Sequence, residues 1–283
     1  MERLQEHVDQ YLRQNDAIGY SRYTDFDWTG LPASIHDSGL KELQLGAVET
    51  ALLVEDHIPG YASEYLRLFS VDASRSDEEA WANRQMLHFV FRWIAEEDRH
   101  AHLLELYLCH SGQRDPAALT HLLVTEGKKP YTAPHEAAPA LFAYTAIQEK
   151  ATQLFYSCLR HAVQEPVLRQ ILGNLAADEA RHCRFFSQNV LDVLREGKPK
   201  TLALIREALQ EFEMPLAHTL AQYKRKAILM ARAADGYDYR HAFAHFARLL
   251  KQTLASRLSA RGTQLQDLLL LTQQLGPRMP KAR

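Results

Sequence analysis

Two short stretches carry residue types and spacings that can do chemistry: Ala95-Glu96-Glu97-Asp98-Arg99-His100 and Ala177-Asp178-Glu179-Ala180-Arg181-His182. Both read A-[ED]-E-x-R-H. On a helix, a Glu and a His three residues apart lie on one face, one turn from each other. Two such pairs facing each other across a helical bundle supply two carboxylates and two imidazoles. Completed by one further Glu from each of two other helices, that set binds a pair of iron or manganese ions. Oxygen donors with imidazole and no thiolate suit these metals better than copper or zinc.

The two further carboxylates are found upstream of each motif. Glu55 precedes Glu97, and Glu149 precedes Glu179, by spacings that allow a helix, a turn and a return. Glu42 and Glu49 compete with Glu55 for the first role. Glu55 has the more apolar surroundings, and Pro59 lies four residues on, with no N–H for the Glu55 carbonyl, so the helix is expected to kink or loosen there. Glu149 is flanked by Phe142, Ile147, Leu154 and Phe155, which suits burial. Four Glu and two His are neutralised by two divalent ions. Glu96 and Asp178, each one residue before a ligand Glu, can accept from the second ring N–H of a ligand His, with Arg99 and Arg181 balancing their charge.

The elements that must position these residues are helices. The 283 residues are 46% hydrophobic and 24% charged with a formal net charge of −2, an ordinary globular composition without a bias toward nucleic acid or anionic membrane. Residues 1–20 read as a short amphipathic helix and 21–39 as a loop. A helix follows from about Leu40 to Phe69. The next starts at a Ser76 cap with Glu79, carries the first motif and ends at Ser111-Gly112. A short helix near Pro116–Leu123 precedes one over 140–163 with Glu149. Pro166 opens the helix of the second motif, which runs to about Arg195. Further helices are expected over 201–213, 216–234 and 239–274, with a loose tail over Gly276–Arg283. The expected architecture is all-α, one domain over 1–283, with a four-helix core over about 40–195, extra C-terminal helices over 201–275 and the metal site inside the bundle. Cys109, Cys158 and Cys183 are far apart with no CxxC, which argues for a reducing, cytoplasmic setting and against an Fe–S cluster or zinc ribbon. No apolar run is long enough to span a bilayer, and the N-terminus lacks the apolar core of a signal peptide.

The motifs extend past the ligands. The sequence resembles the soluble acyl-carrier-protein desaturases, of ferritin-like di-iron fold. Their E-E-x-x-P-x-Y is similar to Glu55-Asp56-His57-Ile58-Pro59-Gly60-Tyr61, and their T-A-E-E-N-R-H-G after a Trp is similar to Trp93-Ile94-Ala95-Glu96-Glu97-Asp98-Arg99-His100. Their Y-T-S-F-Q-E-R-A-T is matched by Tyr144 to Thr152, their A-A-D-E-K-R-H by Ala176 to His182, and a later M-P-A-H-L by Met214 to His218. The resemblance covers about residues 25 to 225. It implies that Glu55, Glu97, His100, Glu149, Glu179 and His182 hold two iron ions, with Glu97 and Glu179 as bridges and Thr152 near the oxygen-binding side. It implies O₂-dependent removal of two hydrogens from a carrier-tethered acyl chain, with electrons from a ferredoxin-type donor, and a homodimer. No flavin or Fe–S motif is present, consistent with a separate donor. Where that family has a basic cluster before M-P, this sequence has Gln210-Glu211-Phe212-Glu213, and Lys224-Arg225-Lys226 follows later. Three other readings stay open on the sequence: a hydroxylase or oxidase on another tethered substrate, a ferritin- or rubrerythrin-like iron or peroxide protein, and a ribonucleotide reductase small subunit. The last wants a Tyr one turn past His100, where Leu104 stands.

Overall fold

The computed structural model describes residues 2–17, 19–256 and 262–277. Among them are twelve α-helices and no strand: α1 (Glu2–Ala17), α2 (Leu31–Ser38), α3 (Glu42–Glu55), α4 (Ile58–Leu68), α5 (Asp77–His110), α6 (Pro116–Gly127), α7 (Ala138–Ala162), α8 (Pro166–Glu196), α9 (Pro199–Gln210), α10 (Tyr223–Ala233), α11 (His241–Ala255) and α12 (Gly262–Leu275). No helix is long and apolar enough to cross a membrane among the described residues.

Proline and short polar side chains set the helix starts. A proline occupies the first turn of α2, α4, α6 and α9, where its missing N–H costs nothing. Ser76 and Glu79 form the expected reciprocal cap on α5, and Asp115 accepts from Ala118 N (2.8 Å) at the start of α6. Glu165, buried, accepts from Val167 N (3.1 Å), Leu168 N (2.6 Å) and the Ser34 hydroxyl (2.7 Å), and so terminates the orphan donors of α8. Gly112 follows α5 at φ 69°, the left-handed conformation that ends helices.

The expected helix over Leu40–Phe69 is two helices. The break falls at Asp56-His57, directly after Glu55, because Pro59 cannot continue the ladder of α3 and serves instead in the first turn of α4. The Tyr61 hydroxyl donates to Val54 O (3.1 Å), replacing part of what the broken helix lost. Part of the expected 21–39 loop is helical as α2. Residues 216–222, expected within a helix, form turns with Leu216 at φ 62° and Gln222 at φ 55°, so α10 starts only at Tyr223. The expected helix over 239–274 is α11 and α12, with 257–261 outside the described residues. The loose tail expected from Gly276 lies outside them from 278 on.

The chain divides into two compact units. The first comprises Met1–Ala133, Phe155–Asp178 and Pro215–Tyr237. Here α3 is central, packed against α5, α6 and α10, while α1 and α4 pack on α5. Most of α3 is buried, including Leu45, Val48, Leu52 and Leu53, as expected of a helix that is apolar nearly all round. The second comprises Pro134–Leu154, Glu179–Met214 and Asp238–Arg283. Its core includes Phe142 against Phe186 and Phe212 against Tyr144 and Phe243, and α12 packs on α9 and α11. The helices α7 and α8 are each unbroken through the boundary between units.

Because α5 carries the first motif on a single long helix, its cap contributes to holding the site. Ser76→Ala is expected to lower unfolding free energy by about 1 kcal/mol, read as a lower urea midpoint at unchanged slope; an unchanged midpoint would show that the cap contributes nothing.

Candidate metal centre

The first unit brings Glu55, at the last residue of α3, together with Glu97 and His100, one turn apart on α5. All three are buried. His100 Nδ1 lies 3.3 Å from Glu97 Oε2 and 3.9 Å from Glu55 Oε2. On the other side of the ring, His100 Nε2 meets Asp178 Oδ2 at 3.0 Å. A carboxylate at Nε2 fixes the tautomer: that nitrogen carries the proton, and the Nδ1 lone pair faces the two carboxylates. Three lone-pair donors converging in a buried space repel one another unless a cation sits among them. The donor set therefore fits a metal ion and fits poorly a neutral polar cluster.

The second unit repeats the arrangement with Glu149 on α7 and Glu179 and His182 on α8. His182 Nδ1 is 3.5 Å from Glu149 Oε2 and 3.5 Å from Glu179 Oε2, and all three side chains are essentially inaccessible. Burial pushes the Glu149 carboxyl well above its ordinary range, the neighbouring Glu179 adds to this, and His182 opposes it. Cys183 follows His182 directly, but its thiol turns to Ala146 O (3.6 Å), and burial pushes it up to about 11. Each unit thus contributes two carboxylates and one imidazole, all hard or borderline donors suited to iron or manganese.

The competing carboxylates are accounted for. Glu42 and Glu49 bind Arg114, at 2.6 Å and 2.5 Å, which leaves Glu55 as the member of α3 beside the imidazole. The Thr152 hydroxyl donates to Gln148 O (3.2 Å) one turn back on α7.

Around the first set lies a hydrogen-bonded ring that the sequence showed only in part. Asp178 accepts from His100 as its position before Glu179 suggested. The same Oδ2 also accepts from Arg99 Nη2 (3.0 Å) and the Tyr20 hydroxyl (2.8 Å), and the Arg99 guanidinium lies 4.2 Å from the centre of the Tyr20 ring. Burial pushes the Tyr20 phenol up to about 12. Glu96 accepts from Tyr11, Asn15 and, at 3.4 Å, Arg99. Tyr156, wholly buried on α7, donates to Glu55 Oε1. Tyr156 was legible in principle: it follows Glu149 by seven residues, two turns along the same face. Tyr20 lies between α1 and α2 and had no local signal.

Set beside known proteins, residues 31–279 match the family model described as fatty acid desaturase. The chain belongs to the fatty acid desaturase family. Among curated desaturases it is 28% identical over 234 residues to the acyl-[acyl-carrier-protein] desaturase DesA1 of Mycobacterium tuberculosis, covering 78% of this chain and 63% of that one. It is 26% identical over 250 residues to the chloroplastic acyl-[acyl-carrier-protein] desaturase 6 of Oryza sativa subsp. japonica, covering 81% and 58%. The chain thus spans about three-fifths of the length of these desaturases. The X-ray structure of DesA2 from Mycobacterium tuberculosis superposes with a TM-score of 0.62 at 20% identity, covering 89% of this chain and 97% of that one. An R2-like ligand-binding oxidase with a Mn/Fe cofactor matches with a TM-score of 0.50 at 11% identity, covering 98% and 94%. These likenesses establish the ferritin-like all-α fold.

Two expectations follow from the geometry. Tyr156→Phe removes the donor that holds Glu55 and should weaken iron binding by about tenfold or more, read by competition with a chelator; unchanged affinity would reduce Tyr156 to packing. The second concerns pH. With metal removed, the fold favours the protonated Glu149 acid, whereas the unfolded chain ionises near 4.5. Its contribution is present below that value and is lost as pH rises through the raised one. Metal-free protein should therefore unfold at lower urea at pH 8 than at pH 6, and iron should abolish most of that slope. A slope of the opposite sign in the metal-free protein would refute this account of Glu149.

Proposed function

We propose that the protein is an O₂-dependent di-iron oxidoreductase that introduces a double bond into an acyl chain tethered to a carrier protein, using electrons from a ferredoxin-type donor. The observation that carries this reading is the doubled, fully buried set of two carboxylates and one imidazole, in a chain of the fatty acid desaturase family. Glu55, Glu97 and His100 would hold one iron and Glu149, Glu179 and His182 the other, with Glu97 and Glu179 serving both. Both ligand histidines belong to the same i, i+3 frame, as a paired site requires.

When bound, two iron ions supply oxygen activation strong enough to take hydrogen from an unactivated carbon. The chain's own residues do the rest. The six ligands neutralise two divalent charges and exclude bulk water by their burial. Asp178 fixes the His100 tautomer, and Arg99 with Tyr20 fixes Asp178. Tyr156 holds Glu55 in place beside the helix break. Thr152, one turn past Glu149, is the hydroxyl we assign to proton delivery; its present acceptor is a carbonyl of its own helix, so delivery requires a change of χ1 rotamer. We place a homodimer with the reading.

The decisive experiment is the intact mass of an acyl-carrier panel after incubation with iron-loaded protein, ferredoxin, its reductase and O₂. Loss of two hydrogens supports desaturation; gain of one oxygen replaces it with hydroxylation. Glu97→Ala and Glu179→Ala should each lose iron and activity while far-UV circular dichroism stays helical, and full iron loading in either variant would remove the metal assignment. Thr152→Val should keep iron but consume O₂ without matching product; tight coupling in that variant would make Thr152 a packing residue.

A further inference from the structure

The outward face of α10 is a concentrated cationic surface in a chain whose net charge is slightly negative. Its eleven residues, Tyr-Lys-Arg-Lys-Ala-Ile-Leu-Met-Ala-Arg-Ala, contain four cations and no acid. Lys224, Arg225 and Arg232 are exposed, and between them Ile228 is 55% exposed, a large apolar side chain framed by positive charge. Lys224, Ile228 and Arg232 follow one another at i, i+4 and i+8 and so share a stripe.

The end of α6 extends this surface. Glu126 accepts from Ala221 N (3.2 Å), just before α10, and from Lys129 Nζ (2.6 Å), and the charge of Lys226 also acts on it. Lys128 is exposed beside Lys129. One buried carboxylate thus fastens two groups of cations together, and the remaining positive charge faces solvent.

The inner face of α10 packs on α3. Leu229 Cδ1 lies 3.1 Å from where a side chain on Gly46 would begin, so the absence of that side chain lets the two helices come close. Along α3 from Gly46 to Glu55 is about 14 Å at 1.5 Å per residue. The cationic face is therefore one helix away from a proposed iron ligand.

We propose that the α10 face, with Lys224, Arg225 and Ile228 at its centre and Lys128 at its edge, docks an acidic helical acyl carrier protein. The partner rests on the function proposed above; the surface rests on the charge and exposure of α10. Charge complementarity favours this occupant: an acidic helix with apolar side chains meets a basic stripe around one exposed Ile. The Gln210–Glu213 segment is unsuited to that partner, since Glu211 and Glu213 are exposed and Phe212 is used in packing against Tyr144 and Phe243.

The test is fluorescence anisotropy of a labelled bacterial acyl carrier protein bearing a hexadecanoyl thioester, titrated with the iron-loaded full chain at low and high salt. Lys224→Glu/Arg225→Glu should weaken binding at least about tenfold and flatten its salt dependence. Ile228→Asp should also weaken it, and Lys251→Glu, a cation on α11, should not. Iron content and circular dichroism check that each variant is folded. Carrier affinity unchanged in the α10 variants overturns the proposal, as does a wild-type chain that binds no carrier. It is equally overturned if the variants change the chain's own oligomeric state by sedimentation, or its binding to anionic vesicles, rather than carrier affinity. In parallel, the same acyl group is offered to the wild-type protein as a pantetheine thioester and weighed for loss of two hydrogens. Desaturation there, with carrier binding indifferent to α10, removes the docking surface alone. No desaturation of either thioester removes the functional reading, whatever α10 binds.

Discussion

Burying like charges is the constraint on which this structure turns. Each unit places two carboxylates and an imidazole lone pair within a few ångströms of one another and away from water. Unneutralised, such a set is expensive, and the upward push on Glu149 shows one way it is relieved, by protonation. Divalent metal relieves it without protons and gains binding free energy from the same repulsion. The fold must therefore hold the donors rigidly enough that they cannot splay apart. Long helices do this: Glu97 and His100 ride on a 34-residue helix capped at its start, and Glu179 and His182 on one of 31 residues.

Around that constraint the outer groups have separate tasks. Asp178 collects three donors on one oxygen, His100, Arg99 and Tyr20. The guanidinium supplies the charge that a buried carboxylate needs, and the stacked phenol screens it from water. Glu55 is held differently. It ends a helix, where the backbone alone would leave it loosely placed, and a phenol from α7 constrains one of its oxygens. The helix break that Pro59 imposes thus comes with a compensating contact, and Tyr61 supplies a second by serving Val54 O. The second unit shows a different neighbourhood, in which Ser187 Oγ and His245 Nε2 lie 2.9 Å apart beside Cys183.

How much of this was legible in the sequence depended on whether the cause was local. The i, i+3 spacing of Glu and His is a property of any helix, so the two motifs could be read directly. So could the Ser76 cap and the Pro59 irregularity, although one helix that kinks or loosens was expected and the structure makes Pro59 part of the first turn of a new one. The α10 boundary was missed because nothing in Pro215-Leu216-Ala217 says that Leu216 adopts positive φ; surrounding structure imposes that. Tyr20 meets Asp178 across most of the chain, and no periodicity encodes such a contact. The preference for Glu55 over Glu42 and Glu49 rests on apolar surroundings and the Pro59 irregularity; what the sequence does not show is that Arg114, from the loop before α6, engages the other two.

Charge distribution offers the remaining step. A metal site of this kind specifies chemistry but not the substrate, because its donors, and the groups that hold them such as Asp178 and Tyr156, are buried. Selection of a substrate must come from surface and shape, where sequence is less constrained and charge can move between elements. In this chain α10 carries four cations and no acid, while Glu211 and Glu213 are acidic. An electrostatic docking surface needs a sign, an exposed area and a reach to the reacting centre more than a fixed position in the sequence. The helix that meets those three conditions here is the one held against α3 by the missing side chain of Gly46. The same packing that seats α10 would therefore tie the proposed docking of a carrier to the helix that ends in Glu55.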